Sequence, residues 1–347
     1  MKIAFVNDTF LEGRGADTVI YELAKELGKR HEVYVLASES NFKEDNFKII
    51  KLELQKLYTG KISDFNYLEK IKKLRKQIFE LQKRYHFELF NVHHIALNPA
   101  FIKLPTIVTW HGSPPTKNIF RKILMRLLLR TLRNNKKTIV ISKFLYNQIS
   151  FLKERVTIIP NGVSADFKPK WKDKEYMLYV GRLEKHKNIE DLIRLSKETN
   201  FKLKIVGYGP EEDRLKKFFA TISAPVEFLG KVSRKELVNL YQECSFFVSA
   251  SKWEGFGLIF LEAAACGKPS IGYNVGATPE VIMNNETGFL VNNYKEFKES
   301  ALKLIKDEKT RIKMGKKAFE FSKNFNWKEI VKKYEKVFKE VRKNENT

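Results

Sequence analysis

The segment from Glu254 to Glu262 combines a glycine-rich turn with an unusually apolar helix. Gly255 and Gly257 can leave backbone N–H groups open to hydroxyls or phosphate, because glycine adopts turn conformations that other residues avoid. Glu262 falls one or two turns into the helix, where a carboxylate is costly to bury unless it has a partner. A ribose diol would be such a partner, and a backbone group or a cation is the alternative. The segment therefore indicates a nucleotide site.

Two cations, Arg182 and Lys187, lie five residues apart in a loop between an apolar strand and a helix. Arginine offers a planar fork of N–H donors, whereas lysine offers a point charge. Both side chains could converge on a diphosphate. The alternative is a pair of surface cations in a Lys-rich chain.

A second glycine-rich turn, Gly13-Arg14-Gly15, follows the first apolar strand and opens a helix. Its glycines would let the backbone approach a ligand, and the helix N-terminus offers unpaired N–H groups with a partial positive charge. The G-x-G-x-x-G dinucleotide pattern is incomplete, because Thr18 occupies the third glycine position. A plain strand-to-helix turn is therefore the alternative to a ligand site.

Acidic residues and histidines do not form a metal-binding pattern. Glu211 and Asp213 fall at the start of a helix, where carboxylates interact favourably with the helix dipole. His93 and His94 end an apolar strand without a further ligand cluster. We therefore predict no metal site, and we place the two histidines at a strand end or in a cleft.

Apolar, β-rich runs alternate with helical patterns along the chain, which predicts an α/β fold with two doubly wound parallel sheets. The strands predicted in the first half are Ile3–Val6, Val33–Leu36, Leu89–Val92, Thr106–Thr109, Thr138–Ile141 and Val156–Ile159. The helices predicted there are Ala16–Lys29, Tyr67–Tyr85 and Ile119–Arg133. The strands predicted in the second half are Met177–Val180, Leu203–Val206, Glu227–Leu229, Phe246–Ser249 and Ser270–Tyr273.

A turn at Asn161-Gly162 and a polar stretch with Pro169 separate the two halves. We predict a Rossmann-like domain over residues 1–165, a second one over residues 166–324, and a cleft between them. An amphipathic helix at about 325–347 is expected to pack back onto the first domain.

The chain has 347 residues, of which 43% are hydrophobic, which excludes a disordered protein. The N-terminal apolar run is too short for a signal peptide, and no run approaches the roughly 18 apolar residues of a spanning helix. A cytoplasmic location is therefore expected, with Cys244 and Cys266 as reduced core thiols.

The net charge is +24, from 65 basic and 41 acidic residues. Such a surface favours polyanions, namely nucleotides, nucleic acid or anionic lipid, and a solvated Lys-rich surface is the alternative. Residues 117–137 carry eight Lys or Arg, no acid, and an apolar face. This pattern is typical of an interfacial helix on the inner face of an anionic membrane. An ordinary helix packed on the first sheet is the alternative.

The pattern Glu254–Glu262, followed by Ala263–Ala265 and Gly267-Lys268-Pro269, resembles the E-x(7)-E motif of retaining glycosyltransferases of the GT-B fold, family four. Nearly the whole chain takes part in the resemblance. The other segments that match family signatures are residues 158–163, 179–188, 276–282 and 287–291.

The resemblance implies a nucleotide-diphosphate-sugar donor and assigns four catalytic residues. Arg182 and Lys187 would neutralise the diphosphate, Glu254 would face the donor sugar, and His111 matches a family histidine beside the reacting sugar. Glu262 would bind the ribose. The other implied donor-binding residues are Gly15, Gly181, Gly209, Lys231, Val232, Phe256, Gly257 and Leu258.

The resemblance also implies that no bound metal or cofactor is needed, because Arg182, Lys187 and helix dipoles can supply the charge. Retention by double displacement would need a carboxylate nucleophile, which the sequence does not identify. The front-face route proposed for the family is therefore expected. The resemblance does not identify the acceptor. The two candidates are a lipid-linked molecule and a precursor of a cell-surface glycan.

One departure from the family concerns its Gly-Gly-Ala-Glu loop, which is Arg14-Gly15-Ala16-Asp17 in this chain. Arg14 in place of the first glycine changes the expected shape of that loop.

Two alternative functions remain. A GT-B-like sugar-nucleotide epimerase would consume the donor without an acceptor. A basic nucleic-acid-binding protein would explain the charge, but the chain carries no recognised motif for it, so no specific nucleic acid is expected.

Overall fold

The computed structural model describes residues 1–53, 67–114 and 118–343. The chain forms two compact units, one from Met1–Gly162 with the C-terminal segment that starts at Trp327, and one from Val163–Asn326. The sequence-based boundaries were residues 165 and 324. Lys117 of the predicted basic helix and residues 344–347 of the predicted C-terminal helix lie outside the described residues.

Seven strands in the described part of the first unit form a parallel sheet, in the order β3-β2-β1-β4-β5-β6-β7. The strands are β1 (Lys2–Val6), β2 (Glu32–Ala37), β3 (Lys48–Lys51), β4 (Leu89–Val92), β5 (Thr106–Trp110), β6 (Lys137–Val140) and β7 (Val156–Ile158). β1 pairs with β2 on one side and β4 on the other. The strand order therefore reverses between β1 and β4, the position at which open parallel sheets bind ligands.

Helices cover this sheet through apolar faces. The helices are α1 (Gly15–Leu27), α2 (Tyr67–Tyr85), α3 (Ile119–Thr131), α4 (Lys143–Gln148) and the C-terminal helix (Trp327–Lys343). The C-terminal helix packs against α1. Its buried residues Ile330, Tyr334 and Phe338 recur at helical spacing and join the core of the first unit. The helix thus packs on the first unit, where the sequence placed it.

The second unit contains a six-stranded parallel sheet, counted over its described residues, in the order β10-β9-β8-β11-β12-β13. The strands are β8 (Tyr176–Val180), β9 (Lys202–Val206), β10 (Val226–Gly230), β11 (Phe246–Ser249), β12 (Ser270–Tyr273) and β13 (Gly288–Val291). The helices are α5 (Ile189–Thr199), α6 (Glu212–Ile222), α7 (Arg234–Glu243), α8 (Leu258–Ala265), α9 (Tyr294–Lys306) and α10 (Glu308–Ser322). β8 pairs with both β9 and β11, so the strand order reverses between β8 and β11. The predicted α/β class with two doubly wound sheets is confirmed.

The sequence missed two strands, β3 and β13, and both lie at the edge of their sheet. β3 is the four-residue run Lys-Ile-Ile-Lys, which is too short and too exposed to give a buried-strand pattern. β13 begins at Gly288, a residue type that strands disfavour. Helix α1 ends at Leu27, two residues before its predicted end. Gly28 follows as the C-cap, and the backbone oxygen of Asn46 lies so close that a side chain at this position would collide with it.

Candidate functional site

The predicted donor-binding residues of the second unit all follow the carboxyl ends of its strands. Gly181, Arg182 and Lys187 follow β8, Gly209 follows β9, Lys231 and Val232 follow β10, and Glu254, Phe256, Gly257, Leu258 and Glu262 follow β11. Because the strands are parallel, these ends share one edge of the sheet. The fold thus brings together loops that are separated by up to about eighty residues in sequence.

An ion pair crosses the point at which the strand order reverses. Lys187 Nζ donates a hydrogen bond of 2.6 Å to Glu254 Oε1, and the two side chains are 15% and 9% exposed. Lys187 ends a 3-10 turn after β8, whereas Glu254 lies in the loop after β11. Two residues predicted to be catalytic are therefore in direct contact.

The backbone of Glu254 is held by the turn after β12. The Ala277 N–H donates 2.9 Å to the Glu254 carbonyl oxygen. Gly276 has a φ of +57°, and a Cβ there would lie 2.2 Å from the same oxygen. The 276–282 segment therefore has a physical role in this structure, since only glycine lets it pack closely enough to fix Glu254.

Arg182 does not join the Lys187–Glu254 pair. Its Nε lies 3.0 Å from Glu184 Oε1, and about half of its side chain is exposed. Glu184 also lies 3.3 Å from Nδ1 of His186. An exposed pair of this kind is easily exchanged for another anion, since its stabilisation is of the order of 1 kcal/mol or less.

The loops after β8 and β9 pack backbone to backbone. Gly181 donates its N–H to the Val206 carbonyl oxygen over 3.0 Å. A Cβ at Gly209 would lie 2.4 Å from the carbonyl oxygen of Leu183, so no other residue fits without a shift. Gly209 therefore has a packing reason for its identity, whether or not it also contacts a ligand.

Gly257 carries a φ of +91° and immediately precedes α8, whose first turn receives no side-chain cap from the residues that the structure describes. The first N–H groups of a helix lack partners within the helix, and they can donate to an anion. The amides of Phe256, Gly257 and Leu258 lie in this turn, on the same loop after β11 as Glu254.

Glu262 is buried in α8 and has a protein partner. The Tyr241 hydroxyl donates a hydrogen bond of 2.8 Å to Glu262 Oε2. Burial raises the pKa of Glu262, whereas Arg234 and the Tyr241 hydrogen bond act in the opposite direction. Sequence reasoning left open whether a ribose, a backbone group or a cation meets this acid. It missed Tyr241, because the contact depends on the packing of α7 against α8.

In the first unit, the partly exposed His111 follows β5 and hydrogen-bonds to the buried His93. His111 Nε2 lies 2.9 Å from His93 Nδ1, and His93 Nε2 lies 2.8 Å from Asn91 Oδ1. Burial, with His94 nearby, lowers the pKa of His111 to about 4. Burial also lowers the pKa of His93 well below its ordinary value. Both rings are therefore neutral near pH 7, which suits hydrogen bonding to a neutral hydroxyl.

Gly15 begins α1 and is exposed, with open space where a Cβ would lie. Two residues later, Asp17 is buried and accepts hydrogen bonds from Asn7 Nδ2 at 2.6 Å and the Leu11 N–H at 2.8 Å. Arg14 Nη1 donates 2.8 Å to the Thr9 hydroxyl, so its side chain folds back on the loop after β1. Asp17 therefore holds that loop in place, which sequence reasoning did not foresee.

The acidic residues Glu211 and Asp213 lie at the N-terminal end of α6. Glu211 Oε2 accepts a hydrogen bond of 2.6 Å from Arg214 Nε, and Asp213 lies in the first turn. Over the described ranges, no three His, Cys, Asp or Glu side chains are grouped so as to hold a metal ion. Cys244 and Cys266 are buried free thiols, as predicted.

Helix α3 places apolar side chains at the surface among its cations. Phe120 is 72% exposed and Leu127 is 51% exposed, and the only buried residue of the helix is Leu128. This arrangement differs from that of an ordinary helix, whose apolar face would be covered by the sheet. Within the described residues, no helix is long and apolar enough to cross a membrane.

Comparison with known proteins gives matches that together span most of the chain. Residues 13–167 match the family model described as Glycosyltransferase Family 4, and residues 164–321 match that described as Glycosyl transferases group 1. An uncharacterized glycosyltransferase of Methanocaldococcus jannaschii, MJ1178, is 30% identical, and the match covers 93% of both chains. N-acetyl-alpha-D-glucosaminyl L-malate synthase of Bacillus anthracis is 25% identical over 94% of both chains.

Two solved structures share the fold at lower identity. Sucrose-phosphate synthase from Thermosynechococcus elongatus has a TM-score of 0.85 at 20% identity, covering 98% of this chain and 99% of that one. Anabaena Alr3699/HepE in complex with UDP-glucose has a TM-score of 0.80 at 17% identity, covering 98% of this chain and all of that one. With two doubly wound units, matching family models and a relative similar over nearly its full length, the chain belongs to the GT-B glycosyltransferases of family 4.

Proposed function

We propose that this chain is a retaining glycosyltransferase that moves a sugar from a nucleotide-diphosphate donor to an acceptor. The observation that carries the donor half is the Lys187–Glu254 ion pair at the reversal point of the second sheet. Ligands of open parallel sheets bind at this point. The scissile bond of the donor joins a phosphate to a sugar. The Lys187 cation can bind the phosphate, and the Glu254 carboxylate can bind the sugar.

The ion pair suggests how the donor is received. In the free protein, Glu254 neutralises Lys187 over 2.6 Å. A diphosphate brings two or more negative charges, so it competes for Lys187 and recruits the exposed Arg182. Glu254 is then free to accept hydrogen bonds from sugar hydroxyls. Lys187 then pairs with the diphosphate, and Glu254 pairs with the sugar hydroxyls. Neither buried charge is left without a partner.

Glu262 is proposed to hold the ribose chiefly through the carboxylate oxygen that Tyr241 does not contact. Oε2 already accepts from Tyr241, which leaves Oε1 for a diol. HepE is a structural neighbour that has been seen with UDP-glucose, and this makes uridine diphosphate sugars the first donors to test. Gly209, Lys231 and Val232 would lie beside the base.

Arg182, Lys187 and the uncapped start of α8 can stabilise the leaving diphosphate, so we expect no resident metal or cofactor. As the bond to the leaving oxygen breaks, the sugar becomes oxocarbenium-like. An acceptor hydroxyl then attacks from the same face and passes its proton to the departing phosphate oxygen, which preserves the anomeric configuration without a carboxylate nucleophile. Gly15 and His111 of the first unit are proposed to contact the donor sugar or its diphosphate.

The acceptor is proposed to be lipid-linked and reached from the inner face of a membrane. The support is the exposed apolar face of α3 together with its cations Arg121, Lys122, Arg126 and Arg130. Anionic headgroups would meet the cations, and Phe120 and Leu127 would enter the interface. A peripheral cytoplasmic enzyme is therefore the proposed setting.

A thermal-shift screen of nucleotide sugars tests the donor proposal. A donor at about 100 times its Kd stabilises the native state by about 2.7 kcal/mol, which raises Tm. We expect Lys187→Ala to lose this shift and most of the turnover. Lys185→Ala is the matched control, because Lys185 is an exposed lysine of the same 3-10 turn, and it should keep both.

Three outcomes would count against the proposal. If no nucleotide sugar raises Tm, the donor site is wrong. If the product has inverted anomeric configuration by NMR, the retaining mechanism is wrong. If the donor is converted into an isomeric nucleotide sugar without any acceptor, the protein is an epimerase.

A further inference from the structure

Four polar side chains at the carboxyl ends of β4 and β5 form one hydrogen-bonded chain. It runs from Asn91 on β4 to His93 just beyond that strand and on to His111 beyond β5, with Thr109 alongside Asn91. Asn91, His93 and Thr109 are buried. His93 also meets the edge of Phe5, with ring centroids 5.7 Å apart. A buried polar chain of this kind has few alternative arrangements.

The orientation of the Asn91 amide is fixed by a neighbour that can only accept. Asn91 Nδ2 lies 3.3 Å from the Ile107 carbonyl oxygen and 2.9 Å from Thr109 Oγ1. A backbone carbonyl has no proton to give, so the amide nitrogen must face it. The other end of the amide, Oδ1, therefore faces His93 Nε2 at 2.8 Å.

This orientation determines where both imidazole protons lie. Asn91 Oδ1 can only accept, so His93 Nε2 carries the proton. Since His93 is neutral, its Nδ1 keeps a lone pair and accepts from His111 Nε2 over 2.9 Å. His111 Nε2 is therefore the protonated nitrogen of that ring. His111 Nδ1 is left with the lone pair, and it can accept a hydrogen bond but cannot donate one.

We propose that Asn91 and His93 are positioning residues that fix the tautomer and ring plane of His111, so that His111 Nδ1 accepts a hydrogen bond from a hydroxyl of the donor sugar. The role of the hydroxyl rests on the proposed function, whereas the tautomer does not. A histidine free to change tautomer would offer an N–H to the same hydroxyl in part of the molecules. The hydrogen bonds through Asn91 and His93 exclude the His111 tautomer that is protonated at Nδ1.

The direct test is a long-range ¹H–¹⁵N spectrum of the full-length protein labelled at histidine, because the two tautomers give different ¹⁵N shifts. The chain has six histidines, and a His111→Gln variant assigns the relevant signals. We expect His93 and His111 both to be neutral and protonated at Nε2 at pH 7. A His111 that is charged or protonated at Nδ1 overturns the proposal without any further variant.

Two substitutions at His93 separate positioning from packing. His93→Phe keeps a ring but removes the acceptor, so His111 should populate both tautomers, and kcat should fall by about three- to tenfold with little change in KM. His93→Asn offers an acceptor again, and it should restore the Nε2–H form and part of kcat. Far-UV circular dichroism and Tm identify a variant that fails to fold.

The outcomes also separate this proposal from the function on which it rests. If wild-type His111 has the expected tautomer but no nucleotide sugar is turned over, the proposed function fails and the positioning role stands. If His93→Phe folds and His111 keeps its tautomer, the positioning role fails even in an active glycosyltransferase.

Discussion

Asp17 is a buried carboxylate, and its hydrogen-bond partners among the described residues are all uncharged. It accepts from the Asn7 amide, the Thr9 hydroxyl and the Leu11 N–H. Burial raises its pKa from 3.8 to about 6, and this outweighs the hydrogen bonds, which act in the opposite direction. The native state therefore binds this proton more tightly than the unfolded chain does.

The sign of the resulting pH dependence follows from linkage. The contribution of Asp17 to stability is fully present below about pH 4 and is lost as pH rises through about 6. Asp17→Asn does not titrate. We therefore expect the free energy of unfolding of wild type, relative to Asp17→Asn, to fall by roughly 2–3 kcal/mol between pH 4 and pH 7. Urea unfolding at several pH values measures the difference, and a difference that stays constant contradicts the shift.

The sequence selected individual site residues where a local pattern marked them, but it did not predict which of them would be in contact. Lys187 and Glu254 were both selected because each follows a strand in a glycine-containing loop, and they form an ion pair. The Tyr241 partner of Glu262 and the His93 partner of His111 were not predicted. Both depend on which elements are neighbours in the folded chain, and periodicity does not report that.

Helix α3 exposes apolar side chains to water next to its basic side chains, which is unfavourable for the apolar ones. Phe120 and Leu127 are exposed beside basic residues, and such a surface gains free energy by entering a lipid interface. We expect the full-length protein to co-sediment with anionic vesicles at low salt. Phe120→Ser should weaken the partition by about tenfold or more, since burying a Phe contributes about 1.5–3 kcal/mol.

Leu68→Ser is the matched control for this experiment. Leu68 is 71% exposed on α2, in the same unit but on a different helix. It should leave vesicle binding unchanged, and neutral vesicles should bind the wild type weakly. Equal losses in the two variants, or no binding to anionic vesicles at low salt, would remove α3 as a membrane contact.

Most elements could be read from the sequence because buried parallel strands leave continuous apolar runs. β4, β11 and β12 were predicted with the bounds that they have. β3 and β13 were not, since an edge strand needs less apolar surface and leaves a weaker signal. The predicted helix at Ile119–Arg133 was correct in type, but its exposed face was visible only in the structure.

The whole molecule is a first unit into which the second is inserted. The chain leaves the first unit after Gly162 and returns to it at Trp327. The two ends of the inserted unit are hydrogen-bonded to each other, because Val163 N–H donates 2.8 Å to the Phe325 carbonyl oxygen. A unit with adjacent ends and its own core can fold without the rest of the chain.

Excision of the inserted unit tests this independence. We expect a fragment spanning Val163–Asn326 to unfold cooperatively on heating and to bind the same nucleotide as the full-length protein. A chain cut after Asn326 should instead destabilise the first unit, because it loses Ile330, Tyr334 and Phe338 from that core. Circular dichroism melting curves and calorimetric nucleotide binding measure both results. A fragment without a cooperative transition contradicts the prediction.

The paired ends at Val163 and Asn326 have a consequence for evolution. Recombination at these two neighbouring junctions would exchange the entire second unit as one cassette and leave the first unit's sheet uninterrupted. Under the proposed function, such an exchange would give an enzyme a new sugar donor while it kept its acceptor. The donor half and the acceptor half of the proposed reaction would thereby change separately.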